Sequence, residues 1–201
     1  MIIVDGCKSE KEISNFANLE EVLVDVMDDS KMEGRIVTDV LVNNESFSEI
    51  YPHQAEDMSC DSISSVEVRS VPANQMAKDM SAELGKVAMM MVGGAKNVAR
   101  LFREAADTDA LELLQDLLDV TRDFMATAGV LRARYADNLE AEFTVKVEKL
   151  GDLLSEMSDV LENEDWILLA DLLEYEFIPL CEDWKNLSDK LHLTISAVVA
   201  Q

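Results

Sequence analysis

The apolar positions of this chain change period once, near Val71-Pro72-Ala73. Before that point they alternate in short runs. The run "RIVTDVLV" (35–42) sets Ile36, Thr38, Val40 and Val42 against Val37, Asp39 and Leu41, the period of two that marks a half-buried strand. Asn43-Asn44 follows as a two-residue hairpin turn, because asparagine tolerates positive φ, and "ESFSEI" is the returning strand. "MIIV" opens the chain as a strand, "SSVEVRSV" (64–71) closes the segment as another, and "KEIS" is placed as a further strand. One helix interrupts them at "NLEEVLVDVMDD" (18–29). Asn18 is its N-cap, Glu20 and Glu21 suit its first turn, and Leu19, Val22, Leu23, Val26 and Met27 form its apolar face. Gly34 is taken as its stop. One helix on a small mixed sheet buries both apolar faces, and a β-grasp, ubiquitin-like arrangement fits this order.

After Pro72 the apolar spacing becomes three and four. One series runs Met76, Met80, Leu84, Val87, Met91, Gly94, Val98, Leu101, and a second Leu111, Leu114, Leu118, Thr121, Met125, Ala128, Leu131, Tyr135. A third runs Leu139, Phe143, Val147, Leu150, Leu154, Met157, Leu161, and a fourth Trp166, Leu169, Leu173, Phe177, Leu180, Trp184, Leu187, Leu191. Short polar joints ("DTDA", "ADN", "ENED") separate the series, each with an Asp or Asn to cap the next helix. The expectation is an α+β protein: a small α+β domain over 1–72, then an antiparallel four-helix bundle over 73–201.

The fourth series also has a far side. On an ideal helix, Leu168, Tyr175 and Ile178 fall roughly 140–220° from the seam, where an isolated bundle meets water. Three large apolar groups at i, i+7 and i+10 mark a contact surface for a partner helix, a second copy of the chain or another part of the protein. Pro179 cannot donate to residue 175, so a kink is expected there, freeing the Tyr175 carbonyl. Met89, Met90 and Met91 point around their helix, so some leave the core, and methionine surfaces adapt to varied partners. Gly93-Gly94 just beyond them suit a close helix approach or a kink.

Charge narrows the partners. The formal net charge is −24, from 41 acidic and 17 basic residues. Nucleic acid is thereby excluded as a direct ligand, since a phosphate backbone needs Lys and Arg to displace its counterions. Anionic membrane surfaces are disfavoured for the same reason. Basic proteins, or apolar ones that need an acidic escort, fit better. Cys7, Cys60 and Cys181 are odd in number and far apart, with no CxxC, so neither a disulfide framework nor a zinc site is indicated. "MIIVDGCKSEKE" has no signal-peptide pattern, and the longest apolar stretch, "VAMMMVGGA" (87–95), is too short to span a membrane, so the expected location is the cytoplasm.

Motifs of chemistry are missing. His53 stands in the loop "YPHQAED" and His192 near the end of the last helix, without an HxxxH or ExxH pairing. A di-iron bundle site needs inward Glu-x-x-His pairs that Glu174 and Glu176 do not supply. "VGGAK" lacks the leading glycine and the Ser or Thr of a phosphate loop. No catalytic, cofactor-binding or metal residues are therefore assigned. The expectation is a non-enzymatic interaction protein of bacterial type, an adaptor or secretion-type chaperone, with Leu168, Tyr175, Ile178, Met89, Met90 and Met91 as its partner-binding residues. In outline the bundle is similar to flagellar export chaperones, which are small acidic helical proteins without a sheet module. Two other readings stand beside it: an acidic mimic of nucleic acid that occupies a basic protein, and an enzyme without a motif whose pocket lies between the modules.

Overall fold

The computed structural model describes residues 1–49 and 53–200, and the chain divides into two compact units, Met1–Met76 and Ala77–Gln201. The first is a five-stranded mixed sheet with one main helix. Strands β1 (Ile2–Val4), β2 (Cys7–Lys8), β3 (Arg35–Val42), β4 (Glu45–Phe47) and β5 (Val66–Pro72) lie in the order β2-β1-β5-β3-β4. β1 runs parallel to β5, and every other neighbouring pair is antiparallel. Helix α1 (Leu19–Met27) buries Leu19 and Val22 in the same core as Ile2, Val66 and Val68 of the sheet, giving the β-grasp-like arrangement expected from element order. The α1 start is capped twice: Asn18 Oδ1 accepts from Glu21 N at 3.0 Å, and the Glu21 carboxylate accepts from Ala17 N at 2.7 Å.

Four expectations for this unit need correction. The second strand is Cys7–Lys8, joined to β1 through Asp5 (φ 49°) and Gly6 (φ 77°), while "KEIS" carries a short 3₁₀ turn, Ile13–Asn15. Asp-Gly between apolar runs is a strong hairpin signal, because both positions accept positive φ. Strand β3 breaks its alternation at a bulge between Val37 and Asp39, so Val37, Val40 and Val42 face the core and Ile36 is exposed. Gly34 (φ 70°) does not end α1; it turns the chain into β3, and its carbonyl accepts from Ala73 N at 2.8 Å. Of the returning strand "ESFSEI", Glu45–Phe47 pairs with β3, and Ile50 lies outside the described residues, as do Tyr51 and Pro52 of "YPHQAED". A short helix, α2, follows at Gln54–Asp57.

The hairpin turn itself does more than reverse the chain. Asn43 and Asn44 have φ of 53° and 69°, as a type I′ turn requires. The Asn43 carboxamide oxygen accepts from Ser64 N and Ser64 Oγ, both at 2.7 Å, and from Ser65 N at 3.2 Å. It thus fixes the segment that leads into the central strand β5. The carboxamide nitrogen also donates to Ser62 O at 3.3 Å. Asn43→Gly keeps the left-handed backbone and loses only the side chain's bonds, whereas Asn43→Ala loses both. The expected costs are about 1 and about 2 kcal/mol, read from denaturation midpoints of the two variants. Equal costs would show that the backbone conformation contributes nothing.

The second unit is helical. Its rods are α3 (Ala73–Arg103, whose first turn precedes the unit), α4 (Asp107–Tyr135), α5 (Glu140–Glu162) and a continuous stretch of α6 (Trp166–Leu172), a π-turn (Leu173–Phe177) and α7 (Ile178–Val199). Short connections reverse each rod, so α3 runs beside the last rod antiparallel: Ser81 meets His192, Gly85 meets Asp189, and Arg103 meets Asp171. "DTDA" is the first turn of α4 and not a joint; the chain turns ahead of it, through Ala105 (φ 56°), and within "ENED" through Glu164 (φ 54°), and in both the next N–H reaches back, to Leu101 O and Val160 O. Only one joint caps the following helix as expected: Asp165 Oδ1 accepts from Leu168 N at 3.1 Å, while α4 and α5 have no side-chain cap.

The core faces of the first three rods are rotated from those expected. On α3 the buried line is Ala77, Ser81, Leu84, Ala88, Met91, Ala95, Val98 and Phe102, and Met80 is exposed. Likewise Leu117 and Phe124 are buried on α4 where Leu111 and Leu118 are exposed, and Leu153 and Val160 are buried on α5 where Val147 is exposed. Alanine adds little to a hydrophobic pattern, yet its small volume brings two rods close, and neighbours then bury whatever lies on that line. Gly94 follows the same logic, since a Cβ there would stand 3.3 Å from Leu117 Cδ1 of α4. Gly93 faces open space, and the helix continues through both without interruption. Only the last rod keeps its expected seam: Trp184 packs edge-on against Phe124 and Phe143, and Trp166 stacks on Phe102 at 5.3 Å. The segment "TISAVV" continues the last rod to Val199.

Candidate functional site

The residues expected to bind a partner separate into surface and core. Leu168 is 42% exposed and Tyr175 68%, but Ile178 is 7% exposed and belongs to the bundle core. The π-turn is the cause. Ile178 N donates to Leu173 O, an i→i+5 bond. Such a turn is wider than an α-turn, so the residues after it lag behind their places on an ideal helix. That lag turns Ile178 toward the core, while Leu180, Trp184, Leu187 and Leu191 stay buried beside it. The same turn answers the proline. It restarts the helix at Ile178, so Pro179 stands in the first turn of α7, where its missing N–H is not needed.

The methionines divide in the same way. Met91 is 2% exposed and packs in the core, while Met89 is 46% and Met90 69% exposed. The exposed pair lines an open groove of about 490 Å³ whose floor is Ala82 and Gly85 and whose far wall is Lys185 and Asp189 of α7. The groove exists because its floor is small. A Cβ on Gly85 would stand 3.3 Å from Asp189 Oδ1. The rim cations are paired, Lys86 with Glu83 and Lys185 with Asp189, each at 2.7 Å. Farther along the same two rods, Arg103 of α3 grips Asp171 and Glu174 at 2.8 and 2.6 Å, on the stretch that carries Leu168 and Tyr175. Sequence spacing found the methionines but not the groove; its signal was Ala82-x-x-Gly85, one turn ahead of them.

No candidate for catalysis gains support from the geometry. His53 Nδ1 lies 3.1 Å from Glu56 on an exposed turn. His192 Nδ1 lies 2.9 Å from Ser81 Oγ, a pairing across 111 residues that no motif announces. That hydroxyl already donates to Lys78 O at 2.8 Å, so it accepts from the ring rather than giving up a proton to it. Ser81 is also buried, out of reach of a substrate. Burial pushes the Cys60 thiol up, and the Cys181 thiol up to about 12, so both stay protonated at neutral pH. Among the described residues no three His, Cys, Asp or Glu side chains gather as a metal site, and no helix is long and apolar enough to cross a membrane.

Fold and surface together define an α+β protein with an acidic helical unit that carries an apolar groove on its outside. Residues 79–187, more than half of the chain, match the family described as Domain of unknown function (DUF8042), and the chain belongs to that family. Residues 1–71 match a second family, described as Domain of unknown function (DUF8043). No curated protein and no solved structure matches the chain.

Proposed function

We propose that this is a cytoplasmic, non-enzymatic interaction protein, an adaptor or secretion-type chaperone, whose helical unit receives a basic amphipathic helix of a client. The observation that carries this reading is the groove beside Met89 and Met90, since two large flexible side chains left in water over a small-residue floor form a receptive surface. Leu168 and Tyr175 are further exposed apolar side chains on the last rod. Charge selects the partner: residues 77–201 carry 25 acidic and 12 basic side chains, so a cationic helix is attracted. A second copy, at −24 like the first, is repelled.

A synthetic Lys/Leu amphipathic helix titrated into the full chain tests this by calorimetry. Binding is expected to persist in about 0.5 M NaCl, where surface charge is screened and apolar contact is not. Met89→Glu/Met90→Glu is expected to weaken it about tenfold or more while the fold is kept, because both residues are already exposed. Unchanged affinity in the variant would refute the groove. Complete loss of wild-type binding in salt would favour acidic mimicry instead, and a wild-type dimer in light scattering that the variant abolishes would assign the surface to self-association.

A further inference from the structure

The first unit holds a second cavity that the groove reading does not use. It measures about 490 Å³, within the range of small-molecule pockets, and opens where the β1–β2 hairpin faces the end of α1. Its apolar lining is Val4, Val26 and Met32, the last two of them buried core residues. Its polar lining runs against the composition of the unit. Residues 1–76 carry 16 acidic side chains and only five basic ones, Lys8, Lys11, Lys31, Arg35 and Arg69. Four of the five line this cavity.

These four are not equivalent. Lys11 is held by Asp25 at 2.6 Å. Arg35 lies 3.0 Å from Asp5 and donates to Ser70 Oγ and Ser70 O. Asp5 in turn accepts from Ser70 Oγ and Ser70 N, bonds that with Arg35 hold its carboxyl below the usual carboxylate range. Lys8 and Lys31 make no ion pair among the described residues, and they come from elements brought together only by the fold: β2 and the 3₁₀ turn Ser30–Met32. In a unit with about three acids for every base, both lysines without an ion pair line one largely apolar cavity. Counting Asp5, Asp25 and Asp29, its lining carries one more positive than negative charge, within a strongly negative surface.

We propose that this cavity binds a small organic anion, a phosphate ester or carboxylate with an apolar body. Lys8 and Lys31 take the charged group. Ammonium groups do so as point charges, and Arg35, the group suited to bidentate recognition, is already committed to Asp5 and Ser70. Val4, Val26 and Met32 receive the apolar body. The surrounding acids disfavour anions that lack an apolar part, because those gain too little from the cavity to offset the repulsion.

1-Naphthyl phosphate titrated into the full chain and followed by amide NMR tests the proposal, with 1-naphthol and inorganic phosphate as its two halves. Saturable shifts are expected at Val4, Lys8, Lys31 and Met32. Each half alone should bind about tenfold or more weakly. Lys8→Gln/Lys31→Gln should lower the affinity for the ester about tenfold or more, and Lys8→Glu/Lys31→Glu further, with the rest of the spectrum unchanged because both lysines are exposed. Absence of saturable shifts at these residues, shifts confined to the helical unit, or equal affinity in the double variants would overturn it. So would inorganic phosphate binding as tightly as the ester, which would leave the apolar lining without a role.

Discussion

Ile178→Asp is expected to destabilise the helical unit by about 4 kcal/mol or more, while Leu168→Asp and Tyr175→Asp each change it by less than about 1 kcal/mol. All three residues occupy one face of an ideal helix, so a regular helix gives them similar costs. The π-turn separates them. Ile178 lies in the same core cluster as Phe177, Leu180 and Cys181, where a carboxylate has neither water nor a counter-charge. Leu168 and Tyr175 remain in solvent, and Tyr175 sits within the π-turn itself, beside Glu174 and Glu176. Urea denaturation followed by helical circular dichroism separates the outcomes. The expected pattern is a large shift in midpoint for one variant and small shifts for two. Three small shifts would mean that the turn is regular in solution and that Ile178 is a surface residue.

Trp184→Ala is expected to cost about 3–5 kcal/mol. Trp184 is among the largest fully buried side chains, and its ring meets Phe124 of α4 at 5.8 Å and Phe143 of α5 at 5.1 Å, both nearly perpendicular. Removing it opens a cavity shared by three rods, and edge-on aromatic pairs add to the loss of buried area. Trp184→Phe should cost less than half as much, because it keeps a ring in place and loses no hydrogen bond: the indole N–H has no partner among the described residues. Trp166→Ala should also cost less, since Trp166 is only partly buried and stacks on a single ring. Denaturant midpoints at unchanged slope give all three values. A cost for Trp184→Ala no greater than for Trp166→Ala would contradict the central position assigned to it.

The surface groups of the candidate site were legible where the helix was regular. Met89 and Met90 leave the core simply because three consecutive methionines cannot share one face, and Leu168 and Tyr175 precede or occupy the wide turn without being rotated past it. Ile178 was misplaced because one i→i+5 bond changes the phase of everything after it, and an angular projection carries no information on where such a bond forms. Pro179 was the warning. A residue without an N–H in mid-helix requires some local adjustment, and here a wide turn immediately precedes it. The groove floor and the cationic cavity were illegible for another reason. Gly85 and Asp189, or Lys8 and Lys31, carry no shared local pattern, and they converge only through helix pairing or sheet assembly.

By itself the sequence determined the order and type of the main elements, the single change of period near residue 72, the Asn18 cap, the Asn43-Asn44 turn and the strong negative charge. Each of these is set by neighbours in the chain, through backbone preference, hydrogen bonding within a few residues, or simple summation of charge. Tertiary structure decided the strand order, the bulge in β3, which line of α3 faces the core, and the rotation at residues 173–177. Those choices depend on how closely two elements approach. Alanine and glycine settle that approach by their lack of volume, and a hydrophobic pattern does not record what a side chain lacks.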